Sequence, residues 1–295
     1  MKQVIFTGAG VAIVTPFTSD GEVNFSLLEE LINYQIENKT DAVIICGTTG
    51  EGATLTHEEH SQTIKFAVEV TKGRVPVIAS TGSNDTAYAI KLSNEAEKAG
   101  ADALLMVTPY YNKASQAGLV KHYNVIADNV TLPIILYNVP SRTGLNIKPE
   151  TYYKLSRHPR IVATKEANGD IAALAKTISL CGDDLTVYSG NDDMITPFIS
   201  LGAKGVISVL SNVVPQVAHD IASKALNGDF EGSAKLQLEY LQLSNDLFMD
   251  VNPVPVKEAM TMMGWNVGEC RLPLTSMPDE AKAQLRKTLQ KYNLV

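Results

Sequence analysis

Eight short runs of apolar residues, rich in β-branched side chains and each closing on a small or polar turn, constrain this chain more than any other feature. They are Val11–Val14, Ala42–Cys46, Val75–Ala79, Ala103–Val107, Ile134–Tyr137, Ile161–Thr164, Leu185–Tyr188 and Gly205–Val209. A half-exposed strand alternates apolar with polar residues, whereas these runs are continuously hydrophobic, as strands covered on both faces of a parallel sheet must be. Their starts lie roughly 20–33 residues apart, the spacing of βα units. Three of the approaches echo one another: Lys39-Thr-Asp-Ala-Val-Ile, Ala99-Gly-Ala-Asp-Ala-Leu and Leu201-Gly-Ala-Lys-Gly-Val. Eight such units without a proline-rich linker predict a closed (β/α)8 TIM barrel, an α/β fold, rather than two domains.

The intervening segments carry helical spacing. Leu27, Leu28, Leu31, Ile32 and Ile36 mark one face, behind a predicted capping box Ser26-x-x-Glu29, and Thr56-x-x-Glu59 opens the next helix in the same way. Gly100 suits a left-handed helix end, and Pro149 and Pro278 suit first helical positions. Beyond Val209 no strand is expected. Pro215 to Val295 reads as helices only, so residues 1–223 are expected to form the barrel and 224–295 a C-terminal helical extension.

Composition serves to exclude. The chain has 295 residues, 45% of them hydrophobic and 19% charged, which rules out intrinsic disorder. Net charge is −7 and no basic run appears, so nucleic acid is not an expected partner. Cys46, Cys181 and Cys270 lie far apart without a C-x-x-C pair, which fits a reducing compartment better than a disulfide framework. The uncharged stretch from Gln3 to Ser19 is broken by Gly8, Gly10 and Pro16 and lacks an A-x-A site, so it is not read as a signal peptide. No window offers the length a membrane span needs, and the expected location is cytoplasmic.

In a (β/α)8 barrel the chemistry lies where the strands end. Those ends carry Thr15-Pro-Phe17, Gly47-Thr-Thr-Gly-Glu-Gly52, Thr108-Pro-Tyr-Tyr-Asn112, Tyr137 to Gly144, Lys165-Glu166 and Ser189-Gly-Asn-Asp192. Lys165, at the end of an apolar strand, would be desolvated, favouring the neutral amine that forms a Schiff base with a carbonyl substrate. The competing reading is a rim lysine paired with Glu166. Tyr111, Tyr137 and Thr48 could form a hydroxyl chain for proton transfer, or simply pack. Arg142 in its Ser-Arg-Thr-Gly turn suits bidentate capture of a carboxylate, or solvation on a loop. The Gly47–Gly52 turn lacks both the G-x-G-x-x-G order and a Walker lysine, but its N–H groups and hydroxyls could hold a small carboxylate. His57 and His60 are one residue short of zincin spacing and lack an obvious third ligand. They read as surface or interface histidines, and no metal is expected.

These motifs, together with Gly205-Val-Ile-Ser208 and Asn252-Pro-Val-Pro-Val-Lys257, resemble in order and over nearly the whole chain the dihydrodipicolinate synthase family. The resemblance implies an enzyme that condenses pyruvate with L-aspartate 4-semialdehyde on the way to diaminopimelate and lysine, with no cofactor. It implies that Lys165 forms the Schiff base and that Tyr137 gives and takes protons, relayed through Thr48 and Tyr111. Tyr111 would be supplied by a neighbouring subunit of a homotetramer built as a dimer of dimers. Thr49 and the backbone around Ile207 would hold the pyruvate carboxylate, Gly190 would line the pocket, and Arg142 would bind the semialdehyde carboxylate. His57, His60, Asn84 and Tyr110 match the family's lysine-binding allosteric pattern. However, Tyr88 replaces an acidic residue and Gly52 a serine, so feedback inhibition is expected to be weak or absent. N-acetylneuraminate lyases and keto-deoxy-sugar-acid aldolases would share Lys165 and Tyr137 but generally lack the arginine at Arg142. A non-catalytic protein on the same barrel would be expected to show a degraded site.

Overall fold

The computed structural model describes residues 2–295. Among them, β1 (Gly8–Ala12), β2 (Ala42–Ile45), β3 (Val77–Ser80), β4 (Ala103–Val107), β5 (Ile134–Asn138), β6 (Ile161–Glu166), β7 (Thr186–Ser189) and β8 (Gly205–Ser208) form one closed parallel barrel in sequence order. The connections hold α1 (Phe25–Glu37), α2 (His57–Thr71), α3 (Thr86–Ala99), α4 (Gln116–Asp128), α5 (Pro140–Thr143), α6 (Pro149–Leu155), α7 (Ile171–Cys181), α8 (Ile195–Ser200) and α9 (Pro215–Leu226). Four further helices follow: α10 (Phe230–Glu239), α11 (Leu241–Asp246), α12 (Val254–Met262) and α13 (Asp279–Lys291). The fold is a (β/α)8 TIM barrel with C-terminal helices.

Every predicted strand forms, with ends displaced for local reasons. β1 starts at Gly8, earlier than its apolar run, because Gly8 and Gly10 pair with Gly205 and Ile207 of β8 and close the barrel. Gly205 adopts φ +151°, and a Cβ there would land on the Gly8 carbonyl, so only glycine permits this closure. β1 stops before Val14, whose N–H is taken by the Asn212 side chain at 3.1 Å. β3 starts after Pro76, which cannot donate to the ladder. β6 runs two residues further than predicted and carries Lys165 and Glu166 inside the strand.

The Thr56 capping box is present, and Gly100 ends α3 in the left-handed region. The box expected at Ser26 is not formed. Asn24 caps α1 by accepting from Leu27 N, which places Ser26 inside the helix. Pro278 is the residue before α13 rather than its first. The tail is not helix throughout: between α12 and α13 the chain turns back to the barrel, where Val267 accepts the Phe17 N–H at 2.9 Å. Position 223 lies within α9, which packs against β1 and β8.

Two layers of apolar packing result. Phe6, Ala12, Ile44, Ile78, Leu105, Ile135, Ala163, Tyr188 and Ile207 fill the barrel interior, while a larger shell packs the outer faces of the strands against the helices.

Candidate active site

Strand alternation decides what Lys165 faces. Successive side chains point to opposite sides of a strand, and Lys165 is in register with Tyr137 on β5 and Tyr188 on β7, both part of the interior. Lys165 and Tyr137 are 6% and 8% exposed, and Lys165 Nζ lies 4.4 Å from the centre of the Tyr137 ring. Glu166 consequently faces the helices. It accepts from Asn138 Nδ2 at 2.9 and 3.0 Å, from Tyr152 Oη at 2.8 Å and from Asn168 N at 2.9 Å. The structure thus separates Lys165 from Glu166, and the rim ion pair does not form. Burial outweighs these hydrogen bonds and pushes the Glu166 carboxyl up to about 7.

The space around Lys165 is kept by Gly190. A Cβ there would lie 2.7 Å from Ala167 Cβ and 3.2 Å from Lys165 Cε. Ile207 is fully buried among the interior residues. Below the mouth, Asp192 is 4% exposed and its Oδ2 accepts the N–H groups of Val209 and Leu210 at 3.0 and 2.9 Å. Burial raises its carboxyl above the ordinary value, opposed by its hydrogen bonds to Ser208 and to those N–H groups and by the charge of Lys165.

A cavity of about 500 Å³ opens at this end of the barrel, lined by Thr48, Tyr137, Arg142, Thr143 and Asn252 among others. Thr49 is buried beside it and accepts from Asn252 Nδ2 at 3.0 Å, while Asn252 O accepts from Arg142 Nη2 at 3.1 Å. Asn252 therefore joins the hydroxyl turn after β2 to the arginine after β5. The turn is anchored from beneath by a buried ion pair, Lys257 Nζ to Glu51 Oε1 at 2.8 Å, with side chains 3% and 2% exposed. Lys257 also donates to Thr15 O and Glu269 O, and Arg271 N donates to Glu51 Oε2.

Among the described residues no hydrogen bond joins Thr48, Tyr137 and Tyr111 into a chain within this subunit. Tyr111 is 91% exposed, on a backbone with φ +70°, and does not line the cavity. The same cavity is also lined by Gly52, His60, Tyr88 and Tyr110. His60 is buried rather than on the surface, with Nε2 on Ser80 O at 2.9 Å. His57 contacts the Tyr88 hydroxyl at 3.3 Å and Glu95 at 3.1 Å, and Asn84 donates to Tyr110 O. The one acidic residue in the lining is Glu51, committed to Lys257. Among the described residues no cluster of three His, Cys, Asp or Glu side chains is placed to hold a metal ion, and no helix is long and apolar enough to cross a membrane.

Asn138, Asp192, Asn252 and the Lys257–Glu51 pair carry no role predictable from the sequence alone. Asp192, Asn252 and Lys257 all lie in recognised motifs, and buried polar residue types in otherwise apolar surroundings were the available signal.

The sequence matches the Dihydrodipicolinate synthetase family over residues 5–292. A 4-hydroxy-tetrahydrodipicolinate synthase of Lachnoclostridium phytofermentans is 57% identical over 294 residues, covering 99% of this chain and 100% of the relative. One from Acetivibrio thermocellus is 53% identical over 295 residues, the full length of both. The crystal structure of the chloride-inhibited dihydrodipicolinate synthase of Acinetobacter baumannii, complexed with pyruvate, is 41% identical and superposes with a TM-score of 0.97 over 99% of this chain and 100% of that one.

Proposed function

The chain belongs to the dihydrodipicolinate synthetase family, and on that premise we infer how its own residues carry the family reaction. The enzyme condenses pyruvate with L-aspartate 4-semialdehyde as a 4-hydroxy-tetrahydrodipicolinate synthase, an aldolase-type lyase activity of lysine and diaminopimelate biosynthesis.

Lys165 Nζ attacks C2 of pyruvate, and the carbinolamine loses water to give the imine. Loss of a proton from C3 gives an enamine, whose C3 forms a bond to the aldehyde carbon of the second substrate. The resulting alkoxide is protonated. The substrate's own amine then adds to C2 and Lys165 leaves as the ring closes. Tyr137, whose ring lies against Lys165 Nζ, is the proton donor and acceptor, with Thr48 at the cavity wall and Tyr111 completing the relay. Thr49 and the backbone at Ile207 take the pyruvate carboxylate, Gly190 leaves room for it beside Lys165, and Arg142 takes the semialdehyde carboxylate at the entrance. The observation that carries this reading is the placement of Lys165 inside the barrel, where among the described residues no carboxylate forms an ion pair with it. A large aromatic as exposed as Tyr111 supports its insertion into a neighbouring subunit, within a homotetramer built as a dimer of dimers. Three free cysteines suit the reduced cytoplasm.

Borohydride trapping with pyruvate, followed by mass spectrometry, tests the assignment. An adduct on Lys165 is expected, and its absence would overturn the Schiff-base reading. Activity with aspartate semialdehyde but not with N-acetylneuraminate then separates the synthase from the sugar-acid lyases.

A further inference from the structure

The segment that carries Arg142 is a loop closed on one side chain. It leaves β5 at Asn138 and returns at Ile147, whose N–H donates to Asn138 Oδ1 at 3.1 Å. Asn138 Nδ2 donates to Asn146 Oδ1 at 2.6 Å, pinning the returning strand of the loop a second time. A side-chain amide can serve both directions only if its orientation is held, and Glu166 holds it by accepting from the same Nδ2. Tyr152 Oη and Asn168 N fix Glu166 in turn. The backbone repeats the connection: Ala167 N donates to Asn138 O at 2.9 Å, and Gly190 N to Glu166 O at 2.8 Å. The ends of β5, β6 and β7 thus meet at the residue next to Lys165.

We propose that Glu166 is a positioning residue for the second substrate: through Asn138 it sets the Arg142 loop relative to Lys165, on the opposite face of the strand from the reacting amine. This rests on the assignments of Lys165 and Arg142 above. Glu166 touches neither substrate, so its removal separates the two halves of the reaction. Pyruvate meets Lys165, Thr49 and the barrel interior, whereas the semialdehyde carboxylate depends on where Arg142 stands.

Glu166→Ala and Asn146→Ala provide the test, the second cutting the next link of the chain, from Asn138 to the loop, at an exposed residue whose loss threatens folding far less. In both, borohydride trapping of pyruvate should reach half-saturation within about twofold of the wild type, while KM for aspartate semialdehyde rises about tenfold, as misplacing a binding group by a fraction of an ångström does. Glu166→Gln, which keeps one acceptor for Asn138, should recover part of the loss. If the wild type is not trapped by pyruvate, the Lys165 assignment fails and this inference with it. If the wild type is trapped but Asn146→Ala leaves the semialdehyde KM unmoved, or raises both substrates' values together, the positioning role alone is overturned.

Discussion

At the scale of single residues, much of the site depends on what is absent. Gly190→Ala would place a methyl group against Ala167 and Lys165 at once. We expect kcat to fall at least about tenfold with the fold retained, because crowding displaces the nucleophile from its attack geometry; steady-state kinetics beside thermal unfolding checks this, and unchanged kcat would count against a role for Gly190 in seating Lys165. Glu166 makes a prediction with a definite sign. Its carboxyl holds a proton up to about 7 in the folded enzyme, but in the unfolded chain it ionises near the ordinary 4.5. Between these values the native state binds more protons, so the contribution of Glu166 to stability is full below pH 4.5 and is lost as pH rises through about 7. Urea unfolding should therefore show wild type losing ground to Glu166→Gln across that window, by up to about 3 kcal/mol. Parallel curves would mean that the carboxyl titrates normally.

At the scale of elements, helix and strand signals were legible because they are local. The Thr56 box is legible in the sequence, since its hydrogen bonds join residues three apart at one helix start. The capping pattern at Ser26 is superseded because Asn24, two residues earlier, offers an equally good cap and the chain enters the helix there. The chain between α12 and α13 was illegible for another reason: what holds it are partners far away in sequence, Phe17, Glu51 and Glu59. The principal tie of α12 to the Gly47–Gly52 turn is the Lys257–Glu51 pair. Lys257→Met should destabilise the enzyme by about 3–5 kcal/mol, because it leaves Glu51 buried without its counter-charge. Denaturant titration measures this, and a loss under about 1 kcal/mol would show that the turn holds without the pair.

At the scale of the whole molecule, the single subunit offers Tyr111 to solvent while the proposed relay calls for it at the active site. If Tyr111 acts across subunits, Tyr111→Phe and Lys165→Ala, each nearly inactive alone, should complement. After dissociation and random reassembly about a quarter of the sites would be competent, as expected for a two-fold dimer. No activity beyond the sum of the parents would overturn the action of Tyr111 across subunits. Regulation is argued at the same scale. Tyr88 and Gly52 line the cavity, where among the described lining residues the carboxylate, Glu51, is committed to Lys257 rather than free to meet an ammonium group. Losing such a charge-assisted hydrogen bond costs about 1.5–3 kcal/mol of affinity. Titration with L-lysine should accordingly give half-inhibition no lower than millimolar, and inhibition well below that would reverse the conclusion.

The sequence by itself determined the barrel, the order of its strands and the residues standing at their ends, because continuous apolar runs and helix starts are set by neighbours a few positions apart. It also placed Lys165 at a strand end, but left open whether that lysine faced Glu166 or the interior. Only the tertiary structure decided this, since facing depends on the register of β6 between β5 and β7. The same holds for Asn138, Asn252 and Glu51. Their hydrogen bonds reach partners up to 220 residues away, as Glu51 does to Arg271, and such pairings exist only once barrel closure has brought the strand ends together.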